Sequence, residues 1–186
     1  MPLVSVIIPC YNEEKRILSL LESLLEQTYS SNLLEIVIVD GNSTDHTLNI
    51  IQGFIRNNPG LNIIIINNPQ RNIPCALNLG MQASHGEIIV RMDAHSKPHK
   101  EYIERCVAVL DDGIAENVRG VWEIQPGHNT WVANSIAKAA ALPIAVGDAL
   151  YRHTNKPSYV ETVPFGAFKR EMLALIGFYN ENLLAN

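Results

Sequence analysis

The chain has 186 residues, 47% of them hydrophobic and 18% charged, with a net charge of −5. That length suffices for one domain with its own core, and the acidic balance argues against non-specific nucleic-acid binding, which needs a basic surface. Cys10, Cys75 and Cys106 are scattered in apolar surroundings with no Cys-x-x-Cys pattern, so they read as small core thiols of a reducing compartment rather than a disulfide framework.

The elements alternate along the chain. Val4 to Ile8 is apolar and β-branched and reads as a buried strand ended by Pro9. Glu13 to Gln27 carries Ile17, Leu20, Leu21, Leu24 and Leu25 on one helical stripe. Ile36 to Val39 is the second strand, followed by a helix over Thr44 to Phe54 with Ser43 or Thr44 as N-cap. Ile63 to Ile66 is the third strand, and Pro74 to Ala83 a helix whose first turn tolerates proline. Glu87 to Met92 is the fourth strand and His99 to Leu110 the next helix. This alternation predicts an α/β layered domain with a mostly parallel sheet. Beyond it, Val118 to Ile124 reads as a strand and Trp131 to Leu142 as a helix. Residues 147–159 read as a flexible loop, Val160 to Val163 as a short strand, and Lys169 to Ile176 as a closing helix. The N-terminus has no charged region before its apolar run and no stretch approaches the ~20 apolar residues of a membrane span, so a cytoplasmic protein is expected.

Ligands of α/β sheets bind outside the carboxyl ends of the strands. Three strand ends carry suggestive groups: Pro9, Tyr11, Asn12 and Glu13 after the first, Asp40, Gly41 and Asn42 after the second, and Asp93, Ala94 and His95 after the fourth. If the chain stays extended, Asp93 and His95 leave it on one face and can reach one divalent ion of the manganese, magnesium or zinc type. The plainer alternative makes Asp93 a helix cap and His95 a loop histidine. Tyr11 could equally be a surface aromatic, Glu13 a helix-start acid and Arg71 a solvated cation. Asn78 is a candidate for lining the site, and Gly80 reads as a helix-packing position. Asp45 reads as a turn or cap residue. His46, His85, His99, His128 and His153 lack metal-ligand spacing and read as surface residues.

The segments Val4-Ser-Val-Ile-Ile-Pro-Cys-Tyr-Asn-Glu13 and Glu35-Ile-Val-Ile-Val-Asp-Gly-Asn-Ser-Thr-Asp-His-Thr47, with Asp93-Ala-His95, resemble the family 2 glycosyltransferases of the GT-A fold. The likeness is to the succinoglycan-type exopolysaccharide branch and runs from about residue 3 to the end. It implies one GT-A domain over 1–186, with a nucleotide-sugar half at 1–97 and part of an acceptor half at 98–186. It implies an inverting, metal-dependent sugar transfer from a nucleotide-diphosphate donor, a UDP-sugar, to a glycan or lipid-linked acceptor in bacterial polysaccharide synthesis. Pro9, Tyr11, Asn12, Glu13, Asp40, Asn42, Arg71, Asn78, Asp93 and Ala94 would contact the donor. Asp40 would accept from a uracil-type N–H, Tyr11 would lie against the base, and Asp93 with His95 would hold Mn²⁺ or Mg²⁺. Asp-x-His departs from the commoner Asp-x-Asp. The acidic tripeptide that supplies the family's catalytic base would begin at Asn186, so the resemblance implies a chain that binds donor but lacks the base. Membrane association, at the inner face, would come only through a further C-terminal part. Two alternatives stay open: a sugar-nucleotide nucleotidyltransferase, although Pro9-Cys10-Tyr11-Asn12 is unlike its glycine-rich opening, and a non-catalytic nucleotide-sugar-binding domain. A dinucleotide oxidoreductase is disfavoured, since no Gly-x-Gly-x-x-Gly follows the first strand.

Overall fold

A computed structural model describes residues 1–121, 130–140, 158–160 and 166–183. The chain divides into two compact units, Met1–Val118 with Phe165–Asn186, and Arg119–Pro164. The first unit holds a six-stranded sheet of order β3-β2-β1-β4-β6-β5. Its strands are β1 (Val4–Cys10), β2 (Leu34–Asp40), β3 (Asn62–Asn67), β4 (Ile88–Arg91), β5 (Asn117–Val118) and β6 (Ala167–Lys169). β1 pairs in parallel with β2 and β4, and β2 with β3, whereas β6 lies antiparallel between β4 and β5. The fold is α/β, with a mostly parallel sheet, as the alternation predicts.

The helices are α1 (Ile17–Leu25), α2 (Thr47–Asn57), α3 (Ile73–Ala83), α4 (Tyr102–Asp111) and the short α6 (Met172–Ile176). One sheet face buries Val6, Ile8, Ile36 and Ile38 with Leu20 and Leu21 of α1, Ile51 of α2 and Ile103 and Val107 of α4. The other buries Ile7, Val37 and Val39 with Ala76, Leu77 and Met81 of α3. Both faces are covered, so β1 and β2 are continuous apolar runs. Gly80 permits the second contact: a Cβ there would stand 2.5 Å from Ile7 Cγ2 and 3.2 Å from Val39 Cγ2. Of the second unit, α5 (Trp131–Ala140) is described, with Trp131, Val132 and Ile136 exposed.

Several boundaries differ from the sequence reading. Pro9 does not end β1; it lies inside it, opposite Val39. Ile7 C=O accepts from Met92 N–H, so Pro9, two residues on, turns its missing donor toward β4, whose ladder with β1 stops at Ile7–Arg91. α1 and α2 begin at Ile17 and Thr47, later than the predicted starts at Glu13 and Thr44, because the preceding residues form loops. Neither Ser43 nor Thr44 caps α2; Asp45 accepts from Thr47 N–H instead. The cap of α3 is Asn72, which accepts from Cys75 N–H at 2.7 Å. The closing helix predicted from Lys169 starts at Met172, and β6 precedes it. Three residues paired only through distant partners have no periodicity to read. The strand predicted from Val118 is confined to Asn117–Val118 among the described residues. Residues 122–124, 147–157 and 161–163, to which strand and loop readings were given, lie outside the described residues.

Candidate functional site

The sheet order places β2 and β3 on one side of β1 and β4 on the other. The carboxyl ends of β1 and β4 are therefore the topological switch point, where open α/β sheets leave a crevice. β1 continues to Cys10 after its pairing with β4 has stopped, which opens that crevice.

Three loops converge there. The β1–α1 and β2–α2 loops are stitched together by side chains: Asn12 N–H donates to Ser43 Oγ (2.9 Å), Thr44 N–H to Asn12 Oδ1 (2.8 Å), Glu13 N–H to Thr47 Oγ1 (2.8 Å) and Glu14 N–H to Asp45 Oδ2 (3.2 Å). Asp45 is thus the structural turn residue that its setting implies. The β3–α3 loop is folded on Asn68, 1% exposed, whose N–H donates to Asp40 C=O and whose side chain binds Gln70 N–H and Asn72 C=O.

All three non-glycine residues with positive φ among the described residues sit on these loops: Asn12 (53°), Asn42 (58°) and Arg71 (56°). Left-handed backbone at non-glycine positions clusters at functional sites, where surrounding contacts hold it. Arg71 reaches back over the half-exposed Tyr11, its guanidinium carbon 5.5 Å from the ring centroid. The same ring lies over Gly41, where a Cβ would meet it at 3.4 Å.

Asp40 is 1% exposed, and its carboxylate accepts from Ser43 N–H (2.9 Å) and Ser43 Oγ (2.5 Å). Asp93 does not leave an extended chain. The strand stops at Arg91, and Ser96 N–H closes a turn on Asp93 C=O at 2.9 Å, with Ala94 and His95 at its centre. Aspartate favours the first position of such a turn, so the shared-face premise for Asp93 and His95 does not hold. His95 Nδ1 instead lies 3.6 Å from Glu13 Oε1, across the switch point. Asp93 Oδ1 is 3.8 Å from Arg91 Nη2. Burial pushes the Asp93 carboxyl above its ordinary range, against Arg91 and His95, which pull it down. Burial also pushes the Cys10 thiol up to about 12, reinforced by Asp40, Glu13 and Asp45. Among the described residues no three His, Cys, Asp or Glu side chains form a ready ligand set.

Asn78 is bound elsewhere. Its Nδ2 donates to Tyr179 C=O and to Glu181 Oε1, both at 2.9 Å, and its Oδ1 accepts from Tyr179 N–H at 2.9 Å. Sequence reasoning took Ser43 and Thr44 only as N-caps and passed over Thr47, Asn68 and Asn72, whose signal is the density of short polar side chains that bond backbone. It had none for Glu181.

Residues 5–176 match the family described as Glycosyl transferase family 2. The chain belongs to that family. It is 28% identical over 175 residues, 93% of the chain and 54% of the relative, to a dolichyl N-acetyl-α-D-glucosaminyl phosphate 3-β-D-2,3-diacetamido-2,3-dideoxy-β-D-glucuronosyltransferase of Methanococcus voltae. It is 32% identical over 108 residues, 58% of the chain and 19% of the relative, to the poly(ribitol-phosphate) β-N-acetylglucosaminyltransferase TarS of Staphylococcus aureus. Among solved structures it is similar to the mannosyltransferase PcManGT of Pyrobaculum calidifontis in complex with GDP-Man and Mn²⁺ (TM-score 0.70, 28% identity, 96% of this chain and 48% of that one). The S. aureus TarS 1-349 complex with UDP shares the fold (TM-score 0.72, 22% identity, 98% and 51%). The chain spans about half the length of the Methanococcus relative and of these solved chains. The fold is GT-A. No helix among the described residues is long and apolar enough to cross a membrane.

Proposed function

We propose that this domain binds a nucleoside diphosphate sugar, UDP-linked, at the carboxyl ends of β1, β2 and β4, and serves an inverting, metal-dependent transfer to a glycan or lipid-linked acceptor. The observation that carries the reading is the convergence of three strained, cross-bonded loops on the topological switch point of a GT-A sheet. Tyr11 offers a base-stacking face with Arg71 above it, and Asn12 and Asn42 fix the backbone that approaches the nucleoside. Asp40, already bound by Ser43, keeps lone pairs for a base N–H. Asn78, if it serves the donor, does so through the segment it binds.

The residues fit a divalent ion. Asp40, Glu13 and Asp45 add to the burial that raises the Cys10 thiol, so a diphosphate entering among these carboxylates needs a cation between itself and Asp93. A carboxylate and an imidazole, Asp93 and His95, would hold Mn²⁺ or Mg²⁺. Such an ion offsets charge on the departing nucleotide. Glu13 faces His95 Nδ1, which leaves Nε2 as the ligating atom. The general base is not assigned to Asp40, Asp93 or Glu13, which serve the donor side. The likeness to the succinoglycan-type branch, and the dolichyl N-acetylglucosaminyl phosphate in the name of the Methanococcus relative, support a polysaccharide or lipid-linked acceptor.

Titration with a panel of UDP- and GDP-sugars, with and without Mn²⁺, tests the reading. Metal-dependent binding of at least one donor is expected. Binding of none overturns it.

A further inference from the structure

Asn78 is a polar residue in a helix core, 5% exposed, and it spends its amide on a segment about a hundred residues away. One carboxamide grips the backbone of Tyr179 on both sides and also donates to the Glu181 carboxylate. This is more than the helix needs, since Asn is a poor helix former. It fixes the segment that follows α6.

The clamp's position matters. α3 starts from the β3–α3 loop at the carboxyl edge, and Asn78 lies five residues, about 8 Å, along it. Residues 179–181 are thus pinned beside the middle of α3. The charge of Glu181 reaches Cys75, one turn nearer that edge, where burial first and Glu181 second push the thiol upward. The segment presents Phe178 (48% exposed), Tyr179 (37%) and the exposed Glu181. Half-exposed aromatic faces beside a carboxylate held in place suit a sugar: apolar ring faces lie on aromatics, and ring hydroxyls donate to a charged acceptor.

We propose that residues 178–181 form a carbohydrate subsite for the acceptor, with Glu181 as the hydroxyl-binding group and Asn78 as the residue that positions it. The proposal rests on the glycosyltransferase reading and adds a place for the second substrate.

Saturation-transfer NMR on the 186-residue chain tests it, with N-acetylglucosamine, mannose and glucuronate as probes. Saturation from aromatic protons should reach at least one sugar. Glu181→Gln keeps an acceptor for Asn78 and removes the charge. It should keep the thermal midpoint while weakening the sugar about tenfold, the loss of one charge-assisted hydrogen bond. Asn78→Ala should weaken the sugar similarly and speed exchange of the Tyr179 amide. No saturation in the unsubstituted chain, or equal saturation in Glu181→Gln, overturns the subsite. Equal sugar binding in Asn78→Ala overturns the positioning role. Titration of the unsubstituted chain with UDP and Mn²⁺ separates the two readings: sugar contact without nucleotide binding leaves the subsite standing and removes the donor reading.

Discussion

Two carboxylates at opposite edges of the central sheet, the buried Glu35 and the partly buried Asp93, are held in opposite ways. At the amino edge Glu35, 2% exposed, accepts from Ser5 Oγ (2.6 Å) and His85 N–H (2.8 Å) and meets His85 Nδ1 at 2.9 Å. Ser5 Oγ in turn accepts from Gly86 N–H, and Arg170 spans Gly86 C=O, Met81 C=O and Ser84 Oγ. At the carboxyl edge Asp93 has Arg91 at 3.8 Å, beyond hydrogen-bond reach. Burial raises both carboxyls, but at Glu35 the Ser5 and His85 contacts outweigh it and hold the group below its ordinary range, while Asp93 stays above. A carboxylate saturated by its own protein is structural. One left short of donors gains from an outside cation. The backbone repeats the contrast, with the left-handed residues Asn12, Asn42 and Arg71 all at the carboxyl edge.

The sharpest way to break this contrast is at the amino edge. Glu35→Ala strands the Ser5 hydroxyl and the His85 amide, and should cost about 3 kcal/mol of stability. That corresponds to a fall of roughly 6–12 °C in midpoint, read by calorimetry. A change below about 1 kcal/mol would mean the network is not buried as described. Gly86→Ala should follow at about 2 kcal/mol, because its Cβ would stand 2.5 Å from Ser5 N and Oγ and 2.9 Å from the Val4 carbonyl carbon. Urea denaturation measures it.

Most of the frame of this contrast was legible in the sequence. β1 to β4 are apolar runs because both faces of a parallel sheet are covered, and the polar residues just past the ends of β1, β2 and β4 lie at the carboxyl edge, as the strand order implies. The turn at Asp93 to Ser96, the short β6 and the Asn78 clamp were not legible. Each depends on partners distant in sequence or on one loop hydrogen bond, which no local period records. Pro9 misled for a related reason: whether a strand tolerates proline depends on where its neighbour stops.

Acid should expose the Glu35 network more gently. Its carboxyl is held low, so its stabilising contribution is present above the ordinary carboxylate range and is lost as pH falls through the lowered folded value. Between about pH 5 and about pH 3, where free carboxylates titrate, the midpoint should fall less in Glu35→Gln than in the unsubstituted protein. Parallel curves would contradict the assignment. The smallest effect is chemical: with its thiol pushed up to about 12, Cys10 should resist iodoacetamide in the folded state, as intact mass would record.

The central claim is that the carboxyl edge needs an outside cation to take a nucleotide. Isothermal titration of UDP into the protein and into Asp93→Asn, each with Mn²⁺ or with EDTA, addresses it directly. The account predicts Mn²⁺-dependent binding that weakens about tenfold or more in Asp93→Asn, the loss of a charged interaction, with folding stability changed by less than about 1 kcal/mol. Equal affinity with Mn²⁺ and EDTA, or an Asp93→Asn variant that binds as the unsubstituted protein does, would contradict it.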